Sequence, residues 1–267
     1  MFCHNERKDK RLLKFINKKE EFKNQTKVFV YLSIDFSFAM KILKDLLYIF
    51  YPKLCAICKL QLINNEITIC TVCRHDLPLT NFVDFKNNQI TQTFYGRTLI
   101  EKGYALVLYR KEGSAKKLIQ DLKYKNNQEV GTFFGNWLGA MLRENKEFDE
   151  VDCIVPVSLH PKKQKLRGYN QVTKFGERLS FFLNKPFIEN QLIRTSSTKT
   201  QTLKARFERF KNLDTKFQIK EGDKFKGKHI LLIDDVITTG ATLEACANEL
   251  QKYKGTKISI LTMGYTE

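Results

Sequence analysis

The sequence predicts an α/β protein in which a parallel sheet is covered by helices, preceded by a small module built on four cysteines. Three observations carry this expectation. Short apolar runs at Ile154–Val157, His229–Ile233 and Lys257–Met263 alternate with helical stretches, the pattern of strands buried on both faces. Two Cys-x-x-Cys pairs, Cys55/Cys58 and Cys70/Cys73, lie close together upstream. A turn rich in Thr and Gly, Thr238–Thr242, directly follows one of the apolar strands.

Residues 1–39 open with the charged run NERKDKRLLKFINKKEEFK and continue into VFVYLSIDFSFA, which is apolar but broken by Asp35. Neither reaches the roughly 18 to 20 apolar residues of a spanning helix. They are read as an N-terminal extension outside the fold, with translation expected to start at Met40. The next segment, MKILKDLLYIFYP, sets Ile42, Leu43, Leu46, Leu47 and Phe50 at three- and four-residue spacing, one face of a helix ended by Pro52. That stripe reads as a packing face; Lys41, Lys44 and Lys53 make a membrane-surface helix the alternative.

This helix and the cysteine module together occupy residues 40–80. Each Cys-x-x-Cys lets two sulfurs meet one tetrahedral ion at about 2.3 Å, so Cys55, Cys58, Cys70 and Cys73 form an expected zinc site with a closed shell and a structural role. His75 is near enough to substitute, but four cysteines already complete the shell. Asn64-Asn65, between short apolar runs, suggests a hairpin between the two metal-binding turns. No signal peptide is evident, so the thiols are expected in a reducing cytoplasm, where metal binding outranks disulfides or a redox pair.

The expected α/β domain fills residues 100–267, after a polar connection. Gly103–Tyr109 reads as a strand, Ser114 as the amino-cap of a helix burying Leu118, Ile119 and Leu122, and FFGNWLGAMLREN as a second helix. A strand (Cys153–Val157), a helix (about Tyr169–Leu183), a strand (Phe187–Arg194), a basic loop, a strand (His229–Asp234), a helix (Leu243–Lys252) and a strand (Lys257–Met263) follow.

The chemistry concentrates at two strand ends. His229–Ile233 delivers Asp234 and Asp235 to the carboxyl edge of the sheet, where open α/β folds bind ligands. The amides of Thr238, Thr239, Gly240, Ala241 and Thr242, entering a helix, suit a phosphate monoester. The two acids suit a ribose diol, directly or through Mg²⁺ and its waters. Phosphate and vicinal diol together describe a ribose 5-phosphate. At the other strand end, Val157 leads into Ser158; Lys162, Lys163, Lys165 and Arg167 follow, then Gly168, Tyr169, Asn170 and Gln171 opening a helix. These cations and amide side chains suit a pyrophosphate. His160 reads as a turn residue beside Pro161. A further basic stretch, Arg194–Lys211, holds Gln201 and Arg206, which suit a flap over substrate, a nucleic-acid contact or an ordinary surface loop. Neither GxxxxGK[ST] nor GxGxxG is present, which disfavours a P-loop nucleotidase or a dinucleotide enzyme.

The run HILLIDDVITTGATL resembles the phosphoribosyl-pyrophosphate (PRPP) signature of type I phosphoribosyltransferases. Together with VPVSLHP, LRGYNQ and the later Thr200-Gln201 and Arg206, it resembles the ComF family, phosphoribosyltransferase-like proteins linked to bacterial competence, from about Cys55 to Met263. That resemblance implies a type I phosphoribosyltransferase fold, an N-terminal four-cysteine zinc module, PRPP·Mg²⁺ as ligand, and a role in taking up transforming DNA. The setting it implies is cytoplasmic or peripheral at the inner face of the membrane, with DNA-uptake proteins as partners.

Charge leaves a second class of function open. Lys and Arg number 46 against 29 Asp and Glu, a formal net charge of +17 that suits pyrophosphate, nucleic acid or an anionic membrane surface. An enzyme would move the ribose of PRPP to an acceptor, with Asp234 and Asp235 holding the ribose and Lys165 and Arg167 the departing pyrophosphate. The alternative is a non-catalytic protein that binds single-stranded DNA with the same cradle, helped by aromatics such as Tyr169 and Phe207.

Overall fold

The computed structural model describes residues 40, 46, 50–63, 65–159, 161–195 and 216–267. Residues 1–39, most of the helix expected from Met40, Asn64, His160, Gln201 and Arg206 lie outside the described residues. Leu54–Glu267 forms one compact unit.

The four apolar runs associate as one parallel sheet. β1 (Gly103–Leu108), β2 (Cys153–Pro156), β5 (His229–Ile237) and β6 (Lys257–Tyr265) lie in the order β1-β6-β5-β2, every pair parallel. Period-two alternation sends successive residues of β5 to opposite faces. Leu231 and Ile233 join one apolar cluster, with Leu118, Ile119 and Leu122 of α3 (Ser114–Tyr124), Phe134 and Leu138 of α4 (Glu129–Asn145), and Phe175 and Leu179 of α6 (Thr173–Leu183). Ile230 and Leu232 join the other, with Leu243, Cys246 and Leu250 of α7 (Ala241–Leu250) and with Ile90 and Phe94, which lie in and just after α2 (Gln89–Gln92). Both faces are thereby dry, which is why the strands carry almost no polar residue before their carboxyl ends.

Three glycines on one side of α4 let α6 approach closely. A Cβ on Gly135 would stand 2.7 Å from Cβ of Arg178, and one on Gly139 would stand 2.6 Å from the Phe182 ring. The cysteine module, with α1 (Thr71–His75), is built onto the same core: Cys55, Leu62, Ile69 and Cys73 pack in the first cluster, Lys59 pairs with Asp121 at 3.4 Å, and the Thr68 hydroxyl donates to the Glu129 carbonyl.

Several elements differ from the sequence reading. Ser114 is the first residue of α3 rather than its cap; Gly113, at φ +129°, holds the cap position without a side-chain bond. Phe187–Arg194 is not a strand of the main sheet. Phe187 bridges Ile154, the polar Glu189-Asn190-Gln191 then turns with Asn190 at φ +60°, and β3 (Leu192–Thr195) pairs antiparallel with β4 (Lys216–Ile219) in a separate ribbon. Where a loop is expected after Ser158, α5 (Pro161–Arg167) forms. Gly168, at φ +76°, ends it, so the next helix starts at Thr173 rather than Tyr169. β5 runs on to Ile237, paired with Tyr265 of β6, so both aspartates lie within the strand.

Candidate functional site

Asp234 and Asp235 are neighbours in β5, and the pleat gives them different surroundings. Asp235 continues the side of Leu231 and Ile233 and is buried, with 5% of its surface exposed. Lys123 near the end of α3 pairs with its Oδ1 at 2.7 Å, and Gln171 Nε2 donates to Oδ2 at 2.6 Å. Both carboxylate oxygens are therefore engaged by protein. Asp234 continues the side of Ile230 and Leu232, toward α7, and is partly buried; its Oδ1 accepts the Asp235 backbone N–H at 2.8 Å. Desolvation and the adjacent Asp235 charge push the Asp234 carboxyl up to about 8, against the opposing pull of the Asp235 N–H, Lys123 and Arg194.

The expected phosphate loop follows. Gly240 takes φ +73° as the N-cap of α7 and supplies no side-chain cap; the Ala241 amide donates to the Thr239 hydroxyl at 3.5 Å, and the first amides of α7 lie at the positive end of the helix dipole. The side chains of Thr238 and Thr239 are exposed, and Thr242 is partly buried in the first turn. Arg97 braces the loop from outside, donating to the Thr239 carbonyl and the Thr93 carbonyl at 3.1 Å each and pairing with Glu244 of α7.

The second strand end contributes unevenly. Gln171 is buried and accepts from Arg167 Nη1 at 2.8 Å, so Arg167, Gln171 and Asp235 form a continuous chain. The Arg167 guanidinium also lies 5.3 Å from the Tyr124 ring centroid. Asn170 shapes the turn: its Nδ2 donates to the Val157 carbonyl and its Oδ1 accepts from the Val172 amide. The Ser158 hydroxyl donates to the Leu192 carbonyl, which ties the strand end to β3. Lys165 is exposed on α5. Lys123 and Arg97 belong to no motif of the sequence. The readable trace of Lys123 is its spacing, four residues after the buried Ile119 at the edge of the helix's apolar stripe.

The cysteines converge as expected. The four Sγ atoms all lie within 4.8 Å of one another, with Cys58 and Cys70 at 3.7 Å; a tetrahedral ion with bonds of about 2.3 Å requires sulfurs about 3.8 Å apart. The cluster could hold a metal ion. Backbone amides point at the sulfurs, Cys70 N to Cys55 Sγ at 3.4 Å and Cys73 N to Cys70 Sγ at 3.5 Å. Against the desolvation of burial, the amides of Cys58, Cys70 and Ile57 hold the Cys55 thiol down to about 6, whereas burial and the neighbouring sulfurs push Cys73 up. His75 is turned away, 89% exposed at its side chain and paired with Asp76.

Residues 172–264 match the phosphoribosyl transferase domain family, spanning α6 to β6. Competence protein F of Haemophilus influenzae is 32% identical over 139 residues, 51% of this chain and 61% of that protein. The DNA utilization protein YhgH of Escherichia coli K12 is 29% identical over 50% of this chain and 59% of its own length. Thus the chain spans about three fifths of each of these two relatives. Competence protein ComFC of Bacillus subtilis is 26% identical over 86% of this chain and 92% of its own. Among solved structures, a purine phosphoribosyltransferase from Pyrococcus horikoshii is 21% identical, with a TM-score of 0.31 over 52% of this chain and 80% of that one. The chain is thus similar in sequence to competence protein F and ComFC, and its residues 172–264 match a phosphoribosyl transferase domain.

Proposed function

We propose that this chain binds PRPP·Mg²⁺ on its phosphoribosyltransferase domain and serves in the uptake of DNA for natural transformation. The observation that carries the ligand is the junction of β5 and α7, where an acid pair precedes a glycine-centred loop that opens a helix. Thr238–Thr242 would hold the 5′-phosphate and the acid pair would govern the ribose hydroxyls. Ser158, Lys165, Arg167, Asn170 and Gln171, with Gln201 and Arg206, would attend the pyrophosphate and the acceptor. Magnesium, when bound, would neutralise the diphosphate; Asp234, the acid not bridged by Lys123 and Gln171, suits a contact to the ribose hydroxyls. In transfer, the bond from ribose C1 to the pyrophosphate oxygen breaks, pyrophosphate leaves, and an acceptor forms the new bond to C1. The residues would contribute by positioning and charge stabilisation.

The cysteine cluster is assigned a structural Zn²⁺, since four thiolates close its shell. The role in competence rests on relatives named for competence and DNA utilization. No helix among the described residues is long and apolar enough to cross a membrane, which suits a cytoplasmic protein or one peripheral at the inner membrane face, beside DNA-uptake partners.

A thermal-shift titration with PRPP and MgCl₂ tests the ligand. The melting temperature should rise with PRPP, and Asp234→Asn/Asp235→Asn should abolish the rise. Wild-type protein unmoved by PRPP would sink the proposal. The formal charge of +17 favours a second reading, single-stranded DNA as a direct ligand. There, affinity for an oligonucleotide should fall steeply with salt and survive the double substitution.

A further inference from the structure

We infer that the two aspartates have different tasks and that Lys123 is a pyrophosphate-side ligand, held in place by Asp235. The inference deepens the PRPP reading and rests on it. Consecutive residues of a strand face opposite sides of the sheet. Asp234 lies on the side of α7, whose amino end is the proposed phosphate cradle, and Asp235 lies on the side of α3 and the 167–171 segment. The 5′-phosphate and the C1 pyrophosphate leave a ribose at opposite ends, so these two sides correspond to the two anionic ends of PRPP.

Asp235 is the organising group of its side. Buried and bonded through both oxygens, it holds Lys123 directly and Arg167 through Gln171. A carboxylate buried this deeply is tolerable only while paired, so it fixes its partners in turn. The Lys123 side chain is 21% exposed, and its ammonium has three donors, of which the 2.7 Å contact to Asp235 uses one. The result is two cations from separate helices linked to one carboxylate, Lys123 through Oδ1 and Arg167, by way of Gln171, through Oδ2. Asp235 is therefore a positioning residue, and Lys123 a specificity residue for ligands with a diphosphate at C1.

Isothermal titration against three probes, PRPP, pyrophosphate and ribose 5-phosphate, each with MgCl₂, separates this from a structural role. Lys123→Gln should weaken PRPP and pyrophosphate about ten- to a hundredfold while ribose 5-phosphate changes less than about twofold. Lys123→Arg, which keeps the charge, should recover most of the loss, and Asp234→Asn should weaken PRPP and ribose 5-phosphate alike. If Lys123→Gln does not fold, Lys123→Met, which keeps the aliphatic stem without the charge, should show the same selective loss. Equal weakening of ribose 5-phosphate and PRPP in the Lys123 variants, or no change in any probe, overturns the inference alone. Wild-type protein that binds none of the three overturns the PRPP reading and the inference with it.

Discussion

Gly240 and Phe94 meet where the phosphate loop turns into α7: a Cβ on Gly240 would stand 3.0 Å from the Phe94 ring, and the glycine's φ is +73°. Phe94 is fully buried beside Ala105, Leu243 and Ile260, so its ring has little room to yield. Gly240→Ala thus combines a left-handed backbone with a tight side-chain contact. It should destabilise the protein by about 1–3 kcal/mol, read as a lowered denaturation midpoint, and weaken PRPP binding by shifting the loop amides. A variant with unchanged midpoint and affinity would show that the loop does not depend on this fit.

Asp234 makes stability pH-dependent in a defined direction. The folded carboxyl keeps its proton up to about 8, whereas in the unfolded chain it titrates near its ordinary value of 3.8. Between these values the folded state binds more protons, so this contribution is greatest at low pH and is lost as pH rises through about 8. Melting temperatures of the ligand-free protein and of Asp234→Asn across pH 5–9 isolate it, since other groups titrate in both. The difference between the two curves should change with pH, with the wild type losing stability relative to the variant as the pH rises. Parallel curves would mean that Asp234 is ionised throughout.

The cysteine cluster shares its apolar surroundings with the main core, so loss of its metal should be felt beyond the module. Purified protein should contain a single zinc ion per chain by atomic emission, and a strong chelator should lower the melting temperature. Cys70→Ser should reduce zinc content and stability together, since the partly exposed Cys70 supplies one sulfur and an amide to Cys55. Full stability after complete zinc removal would count against a structural metal.

How much could be read in advance depended on distance along the chain. The cysteine pairs and the run from His229 to Thr242 are local patterns whose geometry follows from strand pleat, turn and helix start. The cysteine convergence, the parallel sheet and the glycine at the loop all appear in the structure where the pattern put them. The ribbon of β3 and β4 did not. Leu192, Ile193 and Phe217 have the apolar character of a sheet strand, but a left-handed turn at Asn190 and pairing with a distant segment set their direction.

The sequence by itself determined the ingredients of the site: two acids, a glycine-centred loop and a set of cations near a second strand end. Only the tertiary structure decided which cations matter to which acid. Lys123 reaches Asp235 because α3 packs its apolar stripe on one face of the sheet, and Arg97 reaches Thr239 from the segment after α2. The pleat, which turns adjacent residues to opposite faces, then separates Asp234 from Asp235. In the sequence those two acids are indistinguishable neighbours; burial and partners make them different groups.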